Sequence, residues 1–432
     1  MVEHADAVVI GMGPGGEDVA GRLAEAGLDV IGIEKQLVGG ECPYWGCVPS
    51  KMMIRAANLL AEGRRIPGLA GDSTVTPDWA PVARRIRNEA TDNWDDRVAV
   101  ERFEGKGGRF VRGEGRLAGP GRVQVADTTI EAARAIILAT GTRAAVPPIP
   151  GLADVPYWTN RQAIEAKELP GSLIVIGGGA VGVELAQVFT RFGVEVTVVE
   201  ALDRLLSLEE PEAGRLVADV LTREGATVRA GAQASGVTHD GRHFVLSLAD
   251  GTDLSAERLL VATGRRADVA SLGLASIGLD DAQRWVPVDE RLRVAPGVWA
   301  VGDLTGAGAF THVAMYQAGI PSARSSAKVL RRPTTGPCHA SHSPTRRSAA
   351  SGCPKWPPLN GASGSESARR RSLARPADGS TRPATKASSS SSRTPTVASS
   401  SEPPPPGRPA ARSSACSPSP STPGSPPATC NE

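Results

Sequence analysis

The sequence predicts an α/β protein built on two domains with parallel β-sheets. Through residues 1–320, short apolar runs of buried-strand length alternate with segments of helical periodicity. The same strand–turn–helix–strand pattern occurs twice, with glycine-rich turns that begin at Gly11 and Gly177. Residues 321–432 have no such periodicity. We therefore expect an α/β part followed by a tail of different character.

The predicted elements follow each other in the order that parallel sheets require. In each repeat a buried strand leads through a glycine-rich turn into a helix, and the chain then returns to a second strand. The predicted strands are 7–11, 29–34, 134–140, 173–176, 195–200, 258–263 and 298–301, and the predicted helices are 16–26, 183–192 and one from near Pro49 to Leu60.

Composition separates the same two parts. The chain has 432 residues, 48 Lys+Arg and 46 Asp+Glu, for a formal net charge of +2. The tail holds 16 of the basic residues, 4 of the acidic ones and 20 of the 35 prolines, which leaves 32 basic and 42 acidic residues in 1–320. The overall charge therefore disfavours a nucleic-acid binder. The few aliphatic side chains of the tail cannot offset its ordering entropy, so we predict that it is disordered.

Several other classes are disfavoured by the sequence. No apolar run is long enough to cross a bilayer, so we expect no membrane span. The N-terminus lacks the basic flank and the apolar core of a signal peptide. Six cysteines in so long a chain do not form the disulfide framework of a small secreted protein. We expect a cytoplasmic protein.

The first glycine-rich turn predicts a dinucleotide site. Gly11 permits a tight turn, Gly13 lets the backbone approach a pyrophosphate, and Gly16 lets helix and strand pack closely. Glu34 ends the next strand, where a carboxylate can bind ribose hydroxyls. A generic tight turn is the alternative, and the combination of strand, helix and acid argues against it.

The second turn repeats the arrangement with Gly177, Gly179 and Gly182, and Glu200 follows Gly182 at the same spacing as Glu34 follows Gly16. Two such units predict two dinucleotides. An acid at the strand end suits the free 2′-hydroxyl of NAD, whereas a 2′-phosphate would favour arginine. Because Arg204 is near, NADP remains open as the alternative.

A third motif contains two cysteines at the start of a helix. Cys42 and Cys47 are separated by four residues, a helix N-terminus favours a thiolate, and Lys51 adds a positive charge. These features predict a redox disulfide. Two inert structural thiols are one alternative. A zinc site is another alternative. We expect no metal, because the histidines within 1–320 do not lie at ligand spacing; they are His4, His239, His243 and His312.

The cysteine motif and the two turns resemble those of the class I pyridine nucleotide-disulfide oxidoreductases, the family of dihydrolipoamide dehydrogenase, glutathione reductase and mercuric reductase. The resemblance covers about residues 5–320. The later segments agree in order and spacing with the flavin and nicotinamide-nucleotide segments of that family: Thr140-Gly141, 262–265, 300–303 and 310–312.

The resemblance implies FAD and NAD as cofactors, with NADP as the alternative to NAD, and a small-molecule disulfide or related acceptor as substrate. Hydride would pass from NAD(P)H to flavin and electrons then to the cysteine pair. Cys47 would be the flavin-side thiolate and Cys42 the interchange thiol, with Lys51 paired to Glu184. The implied FAD positions are Gly11, Gly13, Gly16, Glu34, Lys51, Gly113, Thr140, Gly141, Asp303 and Thr311, and the implied NAD(P) positions are Gly177, Gly179, Gly182, Glu200 and Gly264.

The resemblance also implies a domain order. We expect an FAD-binding domain in 1–149 and 266–320, an NAD(P)-binding domain in 150–265 and a tail in 321–432. His312 is interpreted as a packing residue or a structural residue beside the flavin, because its position is not that of the family's catalytic histidine. The chain departs from the family at Glu41, where a threonine is usual, and at 44–45, which puts the substrate in doubt.

The tail does not resemble the dimerisation domain that completes the homodimeric family. When its codons are shifted by one base, residues 342–349 and 386–403 can be decoded into segments similar to that domain. We therefore expect a frameshift near residues 319–325; a genuine disordered tail is the alternative. A chain without this domain could be a non-catalytic or merely diaphorase-active flavin-binding remnant, which is the alternative to a full enzyme.

Overall fold

A computed structural model describes residues 1–325 of the chain, with side-chain surroundings through Ser322. These residues form an α/β fold in which helices cover the central parallel strands, as the sequence predicts. Residues 321–325 of the predicted disordered tail are the end of the last described helix, Thr311–Ser325. The rest of the tail lies outside the described residues, and with it the decoded segments behind the predicted frameshift and the predicted absence of a dimerisation domain.

The chain up to Leu138 supplies most of the larger sheet. The second half of β1, from Ala7 to Ile10, is a continuous apolar run because the sheet buries both of its faces there, and Val8 and Val9 are fully buried. The elements here are β1 (Val2–Ile10), α1 (Pro14–Glu25), β2 (Val30–Glu34), α2 (Glu41–Tyr44), α3 (Cys47–Arg65), α4 (Ala80–Arg85), α5 (Arg97–Glu104), β3 (Arg109–Arg112), β4 (Gly115–Leu117), β5 (Arg122–Val125) and β6 (Thr128–Leu138).

The middle of the chain supplies the second sheet and an antiparallel three-stranded sheet. The elements here are β7 (Arg143–Ala144), α6 (Asn160–Glu165), β8 (Ser172–Ile176), α7 (Ala180–Arg191), β9 (Glu195–Glu200), α8 (Pro211–Arg223), β10 (Thr227–Ala230), β11 (Ala234–His239), β12 (Phe244–Leu248), β13 (Asp253–Ala256), β14 (Arg258–Val261) and β15 (Arg265–Arg266).

The chain then returns to the larger sheet with β16 (Arg293–Ala295) and β17 (Val298–Ala300) and continues into α9 (Thr311–Ser325). The larger sheet has eight strands, with the order β16-β17-β6-β1-β2-β3 and the β4–β5 hairpin attached to β6. β17, β6, β1, β2 and β3 are parallel, with Ile10 paired to both Ile33 and Leu138. The carboxyl ends of these strands therefore meet at one edge.

The second sheet is parallel throughout, with the order β10-β9-β8-β14. Helix α7 packs on it through the fully buried Phe189. The same hydrophobic cluster includes Met53 and Ala57 of α3, so the helix that begins at Cys47 packs against the second nucleotide unit. The second nucleotide unit is the part formed by the second sheet and α7, and this packing brings the cysteine motif close to α7.

Where an element was predicted, it differs from the observed one mainly at its ends, but more than half of the observed strands and helices, such as β3, β10 and α8, were not predicted. The predicted strand 195–200 has the bounds of β9, but α3 begins at Cys47 rather than near Pro49, and α7 begins at Ala180 rather than at 183. The antiparallel strands β4, β5 and β11–β13 were not predicted. No helix within residues 1–325 is long and apolar enough to cross a membrane.

Candidate active site

The first glycine-rich turn joins β1 to α1 and leaves open space beside the helix. Gly11 has a φ of +92°, which favours glycine. A Cβ on Gly16 would collide with the carbonyl oxygen of Gly11, so only glycine allows this close approach. A Cβ on Gly13 would meet no atom within 4 Å. Since α1 begins at Pro14, the open space adjoins a helix N-terminus, which suits a phosphate group.

The second turn, between β8 and α7, has the same construction. Gly177 has a φ of +108°, and a Cβ on Gly182 would collide with its carbonyl oxygen. A Cβ on Gly179 would meet no atom within 4 Å, and α7 begins at the next residue, Ala180. The residues of both turns therefore fit a bound dinucleotide pyrophosphate.

The two predicted acids bind the backbone of these turns. Glu34 Oε2 accepts a hydrogen bond from the Met12 N–H at 2.8 Å, and Glu200 Oε2 accepts one from the Gly178 N–H at 2.6 Å. The other oxygen of each carboxylate accepts from the N–H two residues further on, at 2.8 Å in both cases. Each carboxylate is thus fixed beside its turn, with lone pairs left for a ribose hydroxyl.

The cysteine pair lies at the junction of α2 and α3. Both Cys42 and Cys47 are free thiols, and Cys47 is the first residue of α3. A hydrogen bond from Cys42, together with contributions from Thr311 and Lys51, lowers the pKa of Cys47 to about 6. The same hydrogen bond and burial raise the pKa of Cys42. At neutral pH the pair therefore carries a thiolate at Cys47 and a proton at Cys42.

Lys51 and Glu184 meet beside the pair. The Lys51 ammonium lies 3.0 Å from Glu184 Oε2, although the two residues are 133 positions apart. Thr311, the first residue of α9, places its Oγ1 3.7 Å from the Cys47 Sγ. Residues from α3, α7 and α9 thus converge on one thiolate.

The segments after β6 and β17 meet opposite the first turn. Gly141 has a φ of +65°. Gly11 packs closely against the backbone that follows β6, and Thr140 is one of the residues that a Cβ on Gly11 would contact. The Asp303 carboxylate lies 3.3 Å from the Thr142 hydroxyl, which donates to it. Burial raises the pKa of Asp303. A buried carboxylate here suits a polyhydroxyl chain, which can donate hydrogen bonds to it.

The remaining predicted positions are Gly113, Gly264 and His312. The Gly113 N–H donates to the Glu34 carbonyl oxygen at 3.0 Å, and the Gly264 carbonyl accepts from the Ala145 N–H at 2.9 Å. The ring of His312 stacks on Phe310 with centroids 5.4 Å apart, as a packing residue would.

Sequence reasoning missed a polar cluster around the cysteine loop. Arg161 Nε donates to Glu41 Oε1 at 2.7 Å, and Asn160 Nδ2 donates to Glu41 Oε2 at 3.1 Å. The Asn160 amide also donates to the Trp45 carbonyl oxygen at 2.7 Å. The only local signal was that Glu41 and Trp45 depart from the family pattern, because their partners lie far away along the chain.

A cavity of about 580 Å³ opens beside the thiols. Cys42 and Thr311 line it, together with apolar side chains and several charged groups on α1, α5 and the turn before α5. Within residues 1–325 no group of three or more His, Cys, Asp or Glu side chains could hold a metal ion. The arrangement therefore points to thiol chemistry at the edge of a cavity.

Fold and site together define a protein with two dinucleotide turns and a thiol pair between them. The family model described as pyridine nucleotide-disulphide oxidoreductase matches residues 5–318. Mercuric reductase of Shewanella putrefaciens is 35% identical over 322 residues, which cover 71% of this chain and 56% of that protein. Dihydrolipoyl dehydrogenase of Thermus scotoductus is 33% identical over 341 residues, which cover 74% of this chain and 70% of that protein.

Solved structures agree. The Cu(II) complex of the HOCl-induced flavoprotein disulfide reductase RclA from Escherichia coli has a TM-score of 0.66 at 28% identity, covering 74% of this chain and 70% of that one. LpdA from Mycobacterium tuberculosis has a TM-score of 0.66 at 26% identity, covering 76% and 73%. The chain belongs to the class I pyridine nucleotide-disulfide oxidoreductases. It spans 56% and 57% of the length of two mercuric reductases that it matches.

Proposed function

We propose that the protein is an FAD-dependent oxidoreductase that passes electrons from NAD(P)H to a Cys42–Cys47 disulfide and then to a small-molecule disulfide. The observation that carries this proposal is the unequal thiol pair, which lies between two dinucleotide turns and beside a cavity. FAD, when bound, supplies the two-electron link between the nicotinamide and the cysteines.

The two thiols have different tasks in this proposal. Cys42 lines the cavity and attacks the acceptor disulfide, and its proton leaves along the hydrogen bond toward Cys47. The first product leaves as a thiolate and takes that proton back from Cys47, and the Cys47 thiolate then attacks the Cys42 sulfur of the mixed disulfide. The second product leaves as a thiolate and takes its proton from water. One acceptor S–S bond breaks, one Cys42–Cys47 bond forms, and the pair gives up two electrons as two product thiols appear.

Lys51 and Glu184 assist by charge. The ammonium lowers the pKa of Cys47, and Glu184, whose side chain is only 10% exposed, fixes the ammonium in place. Because Glu184 lies on α7 and Lys51 on α3, the pair also joins the two nucleotide units at the thiols. We therefore assign a catalytic role to Cys42, Cys47, Lys51 and Glu184.

The cofactor positions follow the two turns. FAD would be held by the first turn, by Glu34 and by the segments after β6 and β17, through Gly11, Gly13, Gly16, Glu34, Lys51, Gly113, Thr140, Gly141, Asp303 and Thr311. The nicotinamide nucleotide would be held by Gly177, Gly179, Gly182, Glu200 and Gly264. With these sites we propose the domain bounds 1–149 with 266–320, and 150–265.

NAD is the preferred nicotinamide nucleotide in this proposal. Glu200 is fixed at the end of β9, where its charge would repel a 2′-phosphate. Arg204, the residue that keeps NADP open, donates to the Ser207 carbonyl oxygen at 2.7 Å and so is held by its own loop. We expect kcat/KM for NADH to exceed that for NADPH at least tenfold, a ratio that corresponds to about 1.4 kcal/mol.

For the acceptor we propose a chemical class, and for the protein a cellular compartment and an oligomeric state. The cavity beside Cys42 can take a small disulfide, and the names of relatives add mercuric ion as a second acceptor to assay. A cytoplasmic location suits a thiol pair that cycles, because thiols are kept reduced there. Homodimerisation is proposed from the resemblance to the family.

Turnover of a disulfide tests the proposal. The full chain, supplied with FAD, should oxidise NADH when lipoamide or another low-molecular-weight disulfide is added, and product thiols should equal twice the NADH consumed. Cys42→Ser and Cys47→Ser should each abolish thiol formation. Thiol formation that survives both substitutions would contradict the proposal.

A further inference from the structure

We infer that Glu41 is a positioning residue that holds the cysteine loop in the geometry that favours the Cys42–Cys47 disulfide. The inference rests on the proposed function, because it concerns the redox equilibrium of that pair. Glu41 directly precedes Cys42 and is the first residue of α2. Its carboxylate is bound by Arg161 at 2.7 Å and lies 3.5 Å from Arg265 Nη1.

The loop needs such support because α2 cannot hold itself. It has four residues, and its N-cap, Gly40, provides no side-chain hydrogen bond. A single helical turn is unstable on its own, since nucleation fixes several dihedral angles for one hydrogen bond. Contacts from outside must therefore hold the segment that carries Cys42 in position.

Residues of α6 hold both ends of α2. At its start, Arg161 and Asn160 bind the Glu41 carboxylate. At its end, the same Asn160 amide binds the Trp45 carbonyl oxygen at 2.7 Å, and the Arg161 guanidinium lies 4.1 Å from the centroid of the Trp45 ring. Glu165 accepts from the Trp45 indole N–H at 2.6 Å. The loop between the two thiols is thus clamped at Glu41 and at Trp45.

Arg265 connects this clamp to the segment after β17 that contains Asp303. Its Nε donates to the Thr142 hydroxyl at 2.9 Å, and that hydroxyl donates to Asp303 at 3.3 Å. The side chains of Glu41, Arg161 and Arg265 are 27%, 31% and 26% exposed, so solvent only partly screens their charges. Glu41 is the acid that pairs with both arginines, and its loss leaves two positive charges less compensated beside Cys42.

Removing the Glu41 charge has two consequences, and both shift the redox equilibrium of the cysteine pair toward the dithiol. A looser loop lowers the effective concentration of one thiol toward the other, which weakens the disulfide. Two less compensated guanidinium groups would stabilise a Cys42 thiolate, which favours the reduced pair. We expect the equilibrium constant for disulfide formation to fall about fivefold or more in Glu41→Gln, the size expected for a partly buried charged contact.

The test equilibrates the full-length protein with glutathione buffers, in which the dithiol and one glutathione disulfide give the protein disulfide and two glutathione thiols. Trypsin releases both cysteines in one peptide, residues 36–51, so differential alkylation and mass spectrometry measure this pair apart from the other four cysteines. Glu224→Gln is the matched control, because Glu224 binds the partly buried Arg191 at 2.6 Å far from the thiols. Glu41→Thr, the residue usual in the family, is a second variant.

We expect both Glu41 variants to need a more oxidising buffer for half-oxidation, while Glu224→Gln keeps the wild-type midpoint even if its melting temperature falls. In the reduced Glu41→Gln protein, the alkylation rate of Cys42 should also begin to rise at a lower pH than in the wild type. Equal midpoints for wild type and both Glu41 variants would overturn the inference and leave the proposed function standing. A wild-type pair that forms no disulfide would overturn both.

Discussion

At the residue scale, the two thiols differ because one hydrogen bond shifts their pKa values in opposite directions. The thiolate at Cys47 is stabilised chiefly by Cys42 and then by Thr311 and Lys51. The proton at Cys42 is retained by the same bond and by burial. A pair of equal thiols would not assign the attacking and resolving roles in this way.

The lowered pKa of Cys47 predicts its reactivity profile. Iodoacetamide should alkylate Cys47 of the reduced protein with a half-maximal rate near pH 6, since the folded pKa is about 6. In Cys42→Ser we expect the profile to move to higher pH, because the largest cause of the shift is weakened. Cys47 profiles that coincide in wild type and Cys42→Ser would show that the hydrogen bond does not set this pKa.

Lys51 should affect the same thiol. Lys51→Met removes a charge that lowers the pKa of Cys47, so its alkylation profile should shift to higher pH and disulfide turnover should fall about tenfold. Arg55→Met is the control on the same helix, because Arg55 is exposed and pairs with Glu62 at 3.1 Å. A loss of turnover as large in the Arg55 variant would indicate general damage to α3.

At the element scale, each glycine-rich turn joins a buried strand to a helix through a contact that only glycine allows. Gly16→Ala places a methyl group against the Gly11 carbonyl oxygen, and Gly182→Ala does the same at Gly177. Gly319→Ala in α9 is the matched control, because its Cβ would meet no atom within 4 Å.

The two substitutions should separate the cofactors. We expect Gly16→Ala to lose FAD on purification, and Gly182→Ala to retain FAD but to show a KM for NADH raised at least about tenfold, since displaced backbone costs on the order of 1–3 kcal/mol. Flavin absorbance per protein and NADH kinetics measure the two effects. Loss of FAD in Gly182→Ala but not in Gly16→Ala would reverse the assignment of the turns.

The sequence predicted the elements that carry a long apolar signal and missed those that depend on distant partners. Strand β8 and the last four residues of β1 are buried apolar runs, and β9 has its predicted bounds, although β1 begins at Val2, five residues before the predicted start. The long helix was expected to begin near Pro49, yet Cys47 is the first residue of α3. The hairpin strands β4 and β5 are short and half polar, and they exist because β6 pairs with β5.

The candidate site could be predicted where its residues form local motifs and could not be predicted where it depends on distant partners. Its glycines and cysteines form local motifs, whereas the clamp on Glu41 joins side chains that are 119 and 120 positions apart. Neither Asn160 nor Arg161 carries a local signal of such a contact. The Lys51–Glu184 pair came from the resemblance to a family, not from spacing.

At the scale of the whole molecule, the thiols lie where α3 packs against α7. Besides Lys51–Glu184, Arg191 of α7 joins the units: it binds Asn58 of α3, and its Nε donates to Glu224 Oε2 at 2.8 Å. Its side chain is 10% exposed. This contact stabilises the arrangement of α3 against α7.

Arg191→Ala should therefore destabilise the folded protein by about 2–4 kcal/mol, because it leaves Glu224 partly buried without its cation. Arg215→Ala is the control, since Arg215 pairs with Glu212 at an exposed position and its loss should cost less than about 0.5 kcal/mol. Urea denaturation measures both. Equal costs would show that the interface contact contributes no more than a surface ion pair.

Electron transfer from NADH to the thiols can be read directly from the oxidation state of Cys42 and Cys47. The full chain is loaded with FAD, oxidised, and treated anaerobically with NADH in the absence of any thiol reductant. The peptide of residues 36–51 is then analysed by alkylation and mass spectrometry. We expect a disulfide before NADH is added and two alkylated thiols afterwards. A peptide that stays oxidised while the flavin is bleached, or that never contains a disulfide, would contradict the proposed electron path.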